Sequence, residues 1–329
     1  MGAAGLSAAA LFIAAVFSAG PAGAEKIRTA VPQGTLNYLS VYAADVKGFF
    51  HDEGLDNETI IISGPRATAA LLSGDVDYSG AGGSGMRAAA KGAPLKVVMF
   101  QTEKVTWYMI ADASIKKAAD LKGRKVAVGT IGDTQDRLTT LFVERAGLAP
   151  GDITRIMMGT STTARILAIK TGAVQAATVD PGGAIAAELE GLKTIAYLGD
   201  LFPFPFQGFA TLDKKIADNP AQIKRWLRAM IRGLIFLRER PEESAQIAVK
   251  KLQLGNVSAA LLVDGVKRYA RALPEGVPGM PSPEGIKNML EYDVRLPMNI
   301  KEPVPPEQVL NLKFVEEAKK EFEAKRANR

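Results

Sequence analysis

Ala70-Leu71-Leu72-Ser73-Gly74-Asp75-Val76-Asp77-Tyr78-Ser79-Gly80 has a counterpart later in the chain, Ala168-Ile169-Lys170-Thr171-Gly172-Ala173-Val174-Gln175-Ala176-Ala177-Thr178. Each reads as the end of a helix, a glycine stop and a short strand. The likeness extends upstream. Gly48-Phe49-Phe50-His51-Asp52-Glu53-Gly54-Leu55 ends one helix and Phe142-Val143-Glu144-Arg145-Ala146-Gly147-Leu148 ends another. Ahead of these lie two strand-like runs, Ile27–Val31 and Lys125–Gly129. Each half therefore reads strand, loop, helix, strand, loop, helix, strand, over about 26–100 and 120–200. Such alternation predicts an α/β fold with mostly parallel sheets, right-handed crossovers and helices on both faces. Between the halves, Val97–Phe100 and Trp107–Ala111 look like two strands that either pair or cross between lobes.

After residue 210 the pattern turns helical. Asn219-Pro220 opens a helix through Trp226, Leu227, Met230, Ile231, Leu234 and Leu237, at three- and four-residue spacing. Further helices are expected over 242–252 and 257–272, with a loop at 278–283. A final amphipathic helix from Glu307 would align Val309, Leu312, Val315, Ala318 and Phe322. Lacking strands of their own, these helices should pack on the first lobe and make it discontinuous. The expected layout is a first lobe over 25–104 and 208–329, a second over 105–207, and a hinge of two crossings.

Residues 1–24 carry no charged side chain, hold the apolar run Leu11–Phe17 and end in Ala22-Gly23-Ala24. This reads as a signal peptide cut before Glu25, although no Lys or Arg precedes the apolar run. Periplasmic location is the expectation. With no cysteine among 329 residues, disulfides, thiolate metal sites and a lipidated N-terminal cysteine are excluded. The net charge of +6 is spread along the chain and not interleaved with aromatics, so no nucleic-acid partner is expected. Ligand-type residues do not occur at metal spacing, and neither a metal nor a cofactor is expected. His51 is the only histidine, leaving no Ser-His-Asp set, and Gly80–Gly85 lacks the Lys-Ser/Thr ending of a phosphate loop. Catalysis is not expected.

In open parallel sheets, ligands sit beyond the carboxyl ends of strands, where loops lead into helix N-termini with unpaired N–H groups. The first half offers such loops at 32–37, 63–68 and 80–85, and the second at 129–134, 159–162 and 180–183. All are rich in glycine and hydroxyls. Glycine admits a close ligand and hydroxyls supply rotatable donors. Asn37 lies on the first of these loops. Arg66, beside a helix N-terminus, would grip a carboxylate or sulfonate through two bonds. Phe202-Pro203-Phe204-Pro205-Phe206-Gln207 on the second crossing and Trp107 on the first would build an apolar wall. Asp133 and Asp180 would repel an anion unless paired, and either would suit an amine, hydroxyl or ring N–H.

The chain resembles the nitrate/sulfonate/taurine-binding-like proteins of ABC importers. The resemblance rests on Gly48-Phe49-Phe50 with Glu53-Gly54-Leu55, on 70–77 and on Ala88–Lys96. It continues in Asp120–Val128 and Ala146-Gly147-Leu148. It implies the type II periplasmic-binding-protein fold, with two Rossmann-like lobes that close on a ligand. It also implies that Thr35, Ser63, Gly64, Gly83, Ser84, Thr130, Gly132, Thr134, Asp180 and Pro181 match the family's ligand-contacting loops. The expected function is that of a monomeric solute-binding component, delivering a small anionic organic solute to an inner-membrane ABC permease and ATPase. The alternatives are a sensor that docks on a separate receptor and a binder of thiamine-precursor-like pyrimidines.

Overall fold

The structure, a computed structural model, describes residues 23–159, 161–252 and 257–327. The expected signal peptide therefore falls almost wholly outside the described residues. Two five-stranded sheets carry the fold. The first uses β1 (Glu25–Val31), β2 (Leu55–Ile61), β3 (Tyr78–Ser79), β4 (Leu95–Thr102) and β10 (Phe206–Leu212), in the order β2-β1-β3-β10-β4. The second uses β5 (Tyr108–Ala111), β6 (Lys125–Val128), β7 (Thr154–Met157), β8 (Ala176–Val179) and β9 (Lys193–Tyr197), in the order β7-β6-β8-β5-β9.

The two sheets repeat one plan. β1 runs parallel to β2 and β3, and β6 runs parallel to β7 and β8. One strand in each sheet is antiparallel to its neighbours, β10 in the first and β5 in the second. Those two strands are the ones the chain lays down just after crossing between sheets. The run after Thr102 thus delivers β5 to the second sheet, so the strands at 95–102 and 108–111 cross rather than pair. Phe206 and Gln207, expected in the hinge, open β10.

The helices after residue 213 cover the first sheet. Asn219 caps the helix Pro220–Glu239, its Oδ1 accepting the Gln222 N–H at 3.1 Å, and Pro220 loses no bond in the first turn. The helix's apolar stripe presses Trp226 flat on Tyr78, with ring centroids 4.1 Å apart, and edge-on against Phe209. This core holds Ile27, Val31, Leu39, Leu234 and Val266. A second core runs unbroken from Val76 and Leu95 of the first unit through Val105 and Trp107 to Val126 and Leu138 of the second. The crossing thereby belongs to one continuous core with both units.

The C-terminal segment departs from its expected form. The helix expected from Glu307 onward is two pieces, Pro306–Val309 and Lys313–Ala327. Leu310 leaves the helix to bridge Val97 on the exposed edge of β4, and Asn311 N–H donates to the Val97 carbonyl at 2.9 Å. An unpaired strand edge offers backbone partners that an isolated helical pattern cannot report. Ser282-Pro283 starts a further helix, Pro283–Met289, that runs on into a wide turn over Leu290–Arg295.

Candidate functional site

The carboxyl ends of the parallel strands face each other across the two crossings. Between them lies a cavity of about 50 Å³. The first unit contributes Pro32 and Gln33 after β1, Gly64 at the start of the helix Gly64–Ser73, and Gly80–Ser84 leading into the helix Gly82–Ala90. The second contributes Asp133, Thr134 and Gln135 at the start of the helix Thr134–Arg145. The crossings contribute Trp107, Pro205, Phe206 and Gln207, and the C-terminal turn contributes Asp293.

Of the residues singled out from sequence, Gly64, Gly83, Ser84, Trp107, Asp133, Thr134, Phe206 and Gln207 line this cavity. The others lie elsewhere. Thr35 is buried, and its Oγ1 has no hydrogen-bond partner. Asn37 is buried in the hinge, where its Oδ1 accepts from Thr106 Oγ1 at 2.8 Å and its carbonyl from Gln101 Nε2 at 3.1 Å. Ser63 precedes its helix without capping it by side chain. Arg66 is exposed and does not reach the cavity. The N–H of Thr130 donates to Asp133 at 3.1 Å, and the exposed Gly132 presents its carbonyl to Arg87 at 3.0 Å. Pro181 is buried as the first residue of the helix Pro181–Leu189.

Asp180 has a different task from the one its position suggests. It is fully buried, caps the helix Pro181–Leu189 by accepting the Gly183 N–H at 3.1 Å, and accepts the Leu36 N–H of the first unit at 3.0 Å. Burial pushes its carboxyl above the ordinary range, while these N–H donors pull it back. The carboxylate is a clasp between units rather than part of the cavity wall.

Further bonds hold the units together around the cavity. Gln33 Nε2 donates to Gln135 Oε1 at 3.3 Å. Arg87 Nη1 binds Asp293 at 2.6 Å while its Nη2 donates to the Gly132 carbonyl of the second unit. Thr134 Oγ1 donates to the other oxygen of Asp293 at 3.2 Å. Elsewhere between the units Arg268 pairs with Glu188 at 3.2 Å. Two glycines permit this approach. A Cβ on Gly83 would overlap Thr134 Oγ1 and Asp293 Oδ2, and one on Gly64 would lie 3.1 Å from the Asp133 side chain.

The hinge is a buried polar network. Gln207 Nε2 donates to Thr106 Oγ1 at 2.5 Å, and Gln207 Oε1 accepts from Thr102 Oγ1 at 3.2 Å and from Tyr269 at 3.4 Å. Gln207 holds a positive φ of 51°, uncommon for a side chain of its kind and tolerated here by its many partners. Phe206 meets Trp107 edge to face, with centroids 6.1 Å apart, and closes the apolar side of the cavity.

The electrostatics of the lining run against an anion. Asp133 and Asp293 line the cavity, and among the described residues no lysine or arginine does. Asp133 accepts the N–H groups of Asp136 at 2.8 Å and Thr130 at 3.1 Å, so it already occupies the N-terminus of its helix. Burial raises its carboxyl above the ordinary range, and burial does the same to Asp293. Behind them Arg165 is fully buried, donates to the Thr178 carbonyl at 2.9 Å, and is pushed down to about 10 by burial. Sequence reasoning missed Gln33, Gln135 and Asp293. The two glutamines sit at the mouths of the loops already read as ligand-facing. No local signal marks Asp293, which comes in from a remote turn.

Comparison with known proteins places these features. A family model described as NMT1/THI5 like matches residues 35–244. A candidate binding protein of Brucella abortus (strain 2308) is 29% identical over 215 residues, 64% of this chain and 66% of that protein. The match thus spans just under two thirds of that relative's length. Among solved structures, a Bordetella bronchiseptica RB50 protein superimposes with a TM-score of 0.76 at 21% identity, covering 90% of this chain and 98% of the other. The periplasmic aliphatic sulphonate binding protein SsuA of Escherichia coli superimposes with a TM-score of 0.68 at 20% identity, covering 87% and 92%. The fold is that of the periplasmic binding proteins, as the resemblance in sequence implies.

Proposed function

Because the chain belongs to the NMT1/THI5-like family, we propose that it is the periplasmic solute-binding component of an ABC importer, which captures a small organic solute by closure of two lobes. The observation that carries this reading is a cavity walled by helix-leading loops of both units and by both crossings, with Trp107, Phe206 and Gln207 at its back. A ligand touching both walls gains its full set of contacts only when the units meet, so binding favours the closed arrangement. Residues 103–107 and 198–205 absorb the rotation, and the closed form docks on permease and ATPase. The leader at 1–24 sends the chain to the periplasm, and the protein acts without catalysis.

The test is calorimetry and small-angle scattering on residues 25–329 against a panel of periplasmic solutes. A bound solute should reduce the radius of gyration and, at about 100 times its dissociation constant, stabilise the fold by about 2.7 kcal/mol. A solute that binds tightly and leaves the scattering curve unchanged would refute capture by closure.

A further inference from the structure

We propose that the cavity selects a compact neutral or cationic solute, one that offers N–H donors to Gln33 and Asp133 and a single acceptor to Trp107, and that it discriminates against free anions. The inference rests on the solute-binding reading above and sharpens it.

The orientation of the two glutamines follows from a buried carbonyl. The Thr178 carbonyl can only accept, and it accepts from Gln135 Nε2 at 2.9 Å. Gln135 must therefore turn Oε1 toward Gln33, and Gln33 must answer with Nε2. That leaves Gln33 Oε1 without a partner, on a residue only 5% exposed that lines the cavity. A buried acceptor left unpaired costs about 1–3 kcal/mol, so this atom calls for a donor. Asp133 and Asp293 add acceptor oxygens on the same lining. Trp107 also lines the cavity, and its Nε1, on a residue 4% exposed, is a buried donor without a partner. The unpartnered buried side-chain atoms of the lining are thus an acceptor on Gln33 and a donor on Trp107, the pattern of a carboxamide; an amidinium meets the acceptors alone.

The charges agree. A helix N-terminus attracts an anion, but carboxylates of the protein already stand at two of those around the cavity. Asp133 caps Thr134–Arg145, and Asp293 Oδ2 lies against Gly83 in the first turn of Gly82–Ala90. Arg87 is bound to Asp293, Arg155 to Asp136 at 2.9 Å, and Arg165 makes its bonds to backbone carbonyls. An entering anion would meet two carboxylates, with the terminal N–H groups of Arg87, Arg155 and Arg165 already engaged, a like-charge arrangement that disfavours it.

Titration calorimetry with probes of one size decides the matter: benzamide and benzamidine against benzoate and benzenesulfonate. In the unaltered protein benzamide or benzamidine should bind about tenfold or more tighter than either anion, the factor that one unmet buried bond confers. Asp133→Asn keeps a capping side chain and should shrink that ratio about fivefold or more. Gln33→Met should weaken the N–H probes while leaving the anions unchanged. Benzoate or benzenesulfonate binding as tightly as benzamide, a ratio unmoved by Asp133→Asn, or no binding of either N–H probe at millimolar concentration would overturn the inference. Scattering separates the two proposals. Closure around benzoate leaves the capture reading standing and removes only the ligand class, whereas a probe that binds without closure removes the capture reading.

Discussion

Asp133 and Asp180 are alike in sequence, each opening a helix of the second unit, yet the structure uses them differently. Asp180 is sealed against Leu36 of the other unit, and Asp133 faces the cavity across Gly64. The difference lies in what the opposing unit brings to each, which no local pattern records. Their titration follows from burial. A carboxyl whose folded pKa is raised is protonated first in the folded state, so acid favours folding through that group. The contribution of Asp133 should grow as pH falls through its raised folded value and be complete below the unfolded value near 3.8. Urea unfolding of the unaltered protein and Asp133→Asn across pH 4 to 8 checks the sign: relative to the variant, the unaltered protein should become more stable toward acid.

Trp107 carries two roles on one side chain, an apolar face against Phe206 and an unpaired N–H at the cavity. Trp107→Phe keeps most of the first and removes the second. Ligand affinity should fall by about 1–3 kcal/mol, the cost of an unmet buried partner, with little change in melting temperature. Equal losses of affinity and stability would assign the residue to hinge packing alone.

Among the elements, the helix Pro220–Glu239 shows how strongly a local pattern can be trusted when cap, proline and stripe agree. Its start at Pro220 is legible from Asn219-Pro220, because a cap and a missing N–H are properties of adjacent residues. What it packs on is not legible: Trp226 lands on Tyr78 and bonds Thr29 Oγ1 at 3.2 Å, both far back in the chain. Trp226→Ala should cost about 3–5 kcal/mol, read as a lowered denaturation midpoint without change of slope. The C-terminal segment teaches the opposite lesson. The apolar spacing of Val309, Leu312 and Val315 is helical, and all three turn inward, but Leu310 is drawn out to pair with Val97. An edge strand from elsewhere outbids a local preference of a few tenths of a kcal/mol per residue.

At the scale of the whole molecule, the two units meet through a set of bonds concentrated around the cavity. Gly83 and Arg87 lie on one helix and control that meeting from opposite directions. Gly83→Ala inserts a methyl where Thr134 and Asp293 lie, so it should hold the units apart, raise the radius of gyration and weaken ligand binding about tenfold or more. Arg87→Ala removes the ion pair of Asp293, whose side chain is only 4% exposed, and the bond to Gly132. Stranding a buried carboxylate costs about 3–5 kcal/mol, so melting temperature should fall as well. An Asp293→Asn change made with Arg87→Ala should recover much of that loss, since the stranded charge is then gone. A double variant as unstable as Arg87→Ala alone would show that the guanidinium acts through packing instead.

Sequence alone determined the duplicated strand-and-helix plan, the glycine- and hydroxyl-rich loops and the helix caps, because each is written in residues close together along the chain. It named Gly64, Gly83, Ser84, Trp107, Asp133, Thr134, Phe206 and Gln207, which do line the cavity, since loops after parallel strands have a general place in such folds. Only the tertiary structure decided that β5 and β10 change sheets, that Asp180 fastens the units and Arg66 faces solvent, and that Asp293 arrives from a remote turn. It also decided the character of the cavity. Charge in a cleft is a sum over groups distant in sequence and over the partners each has already taken, and that sum exists only once the chain has folded.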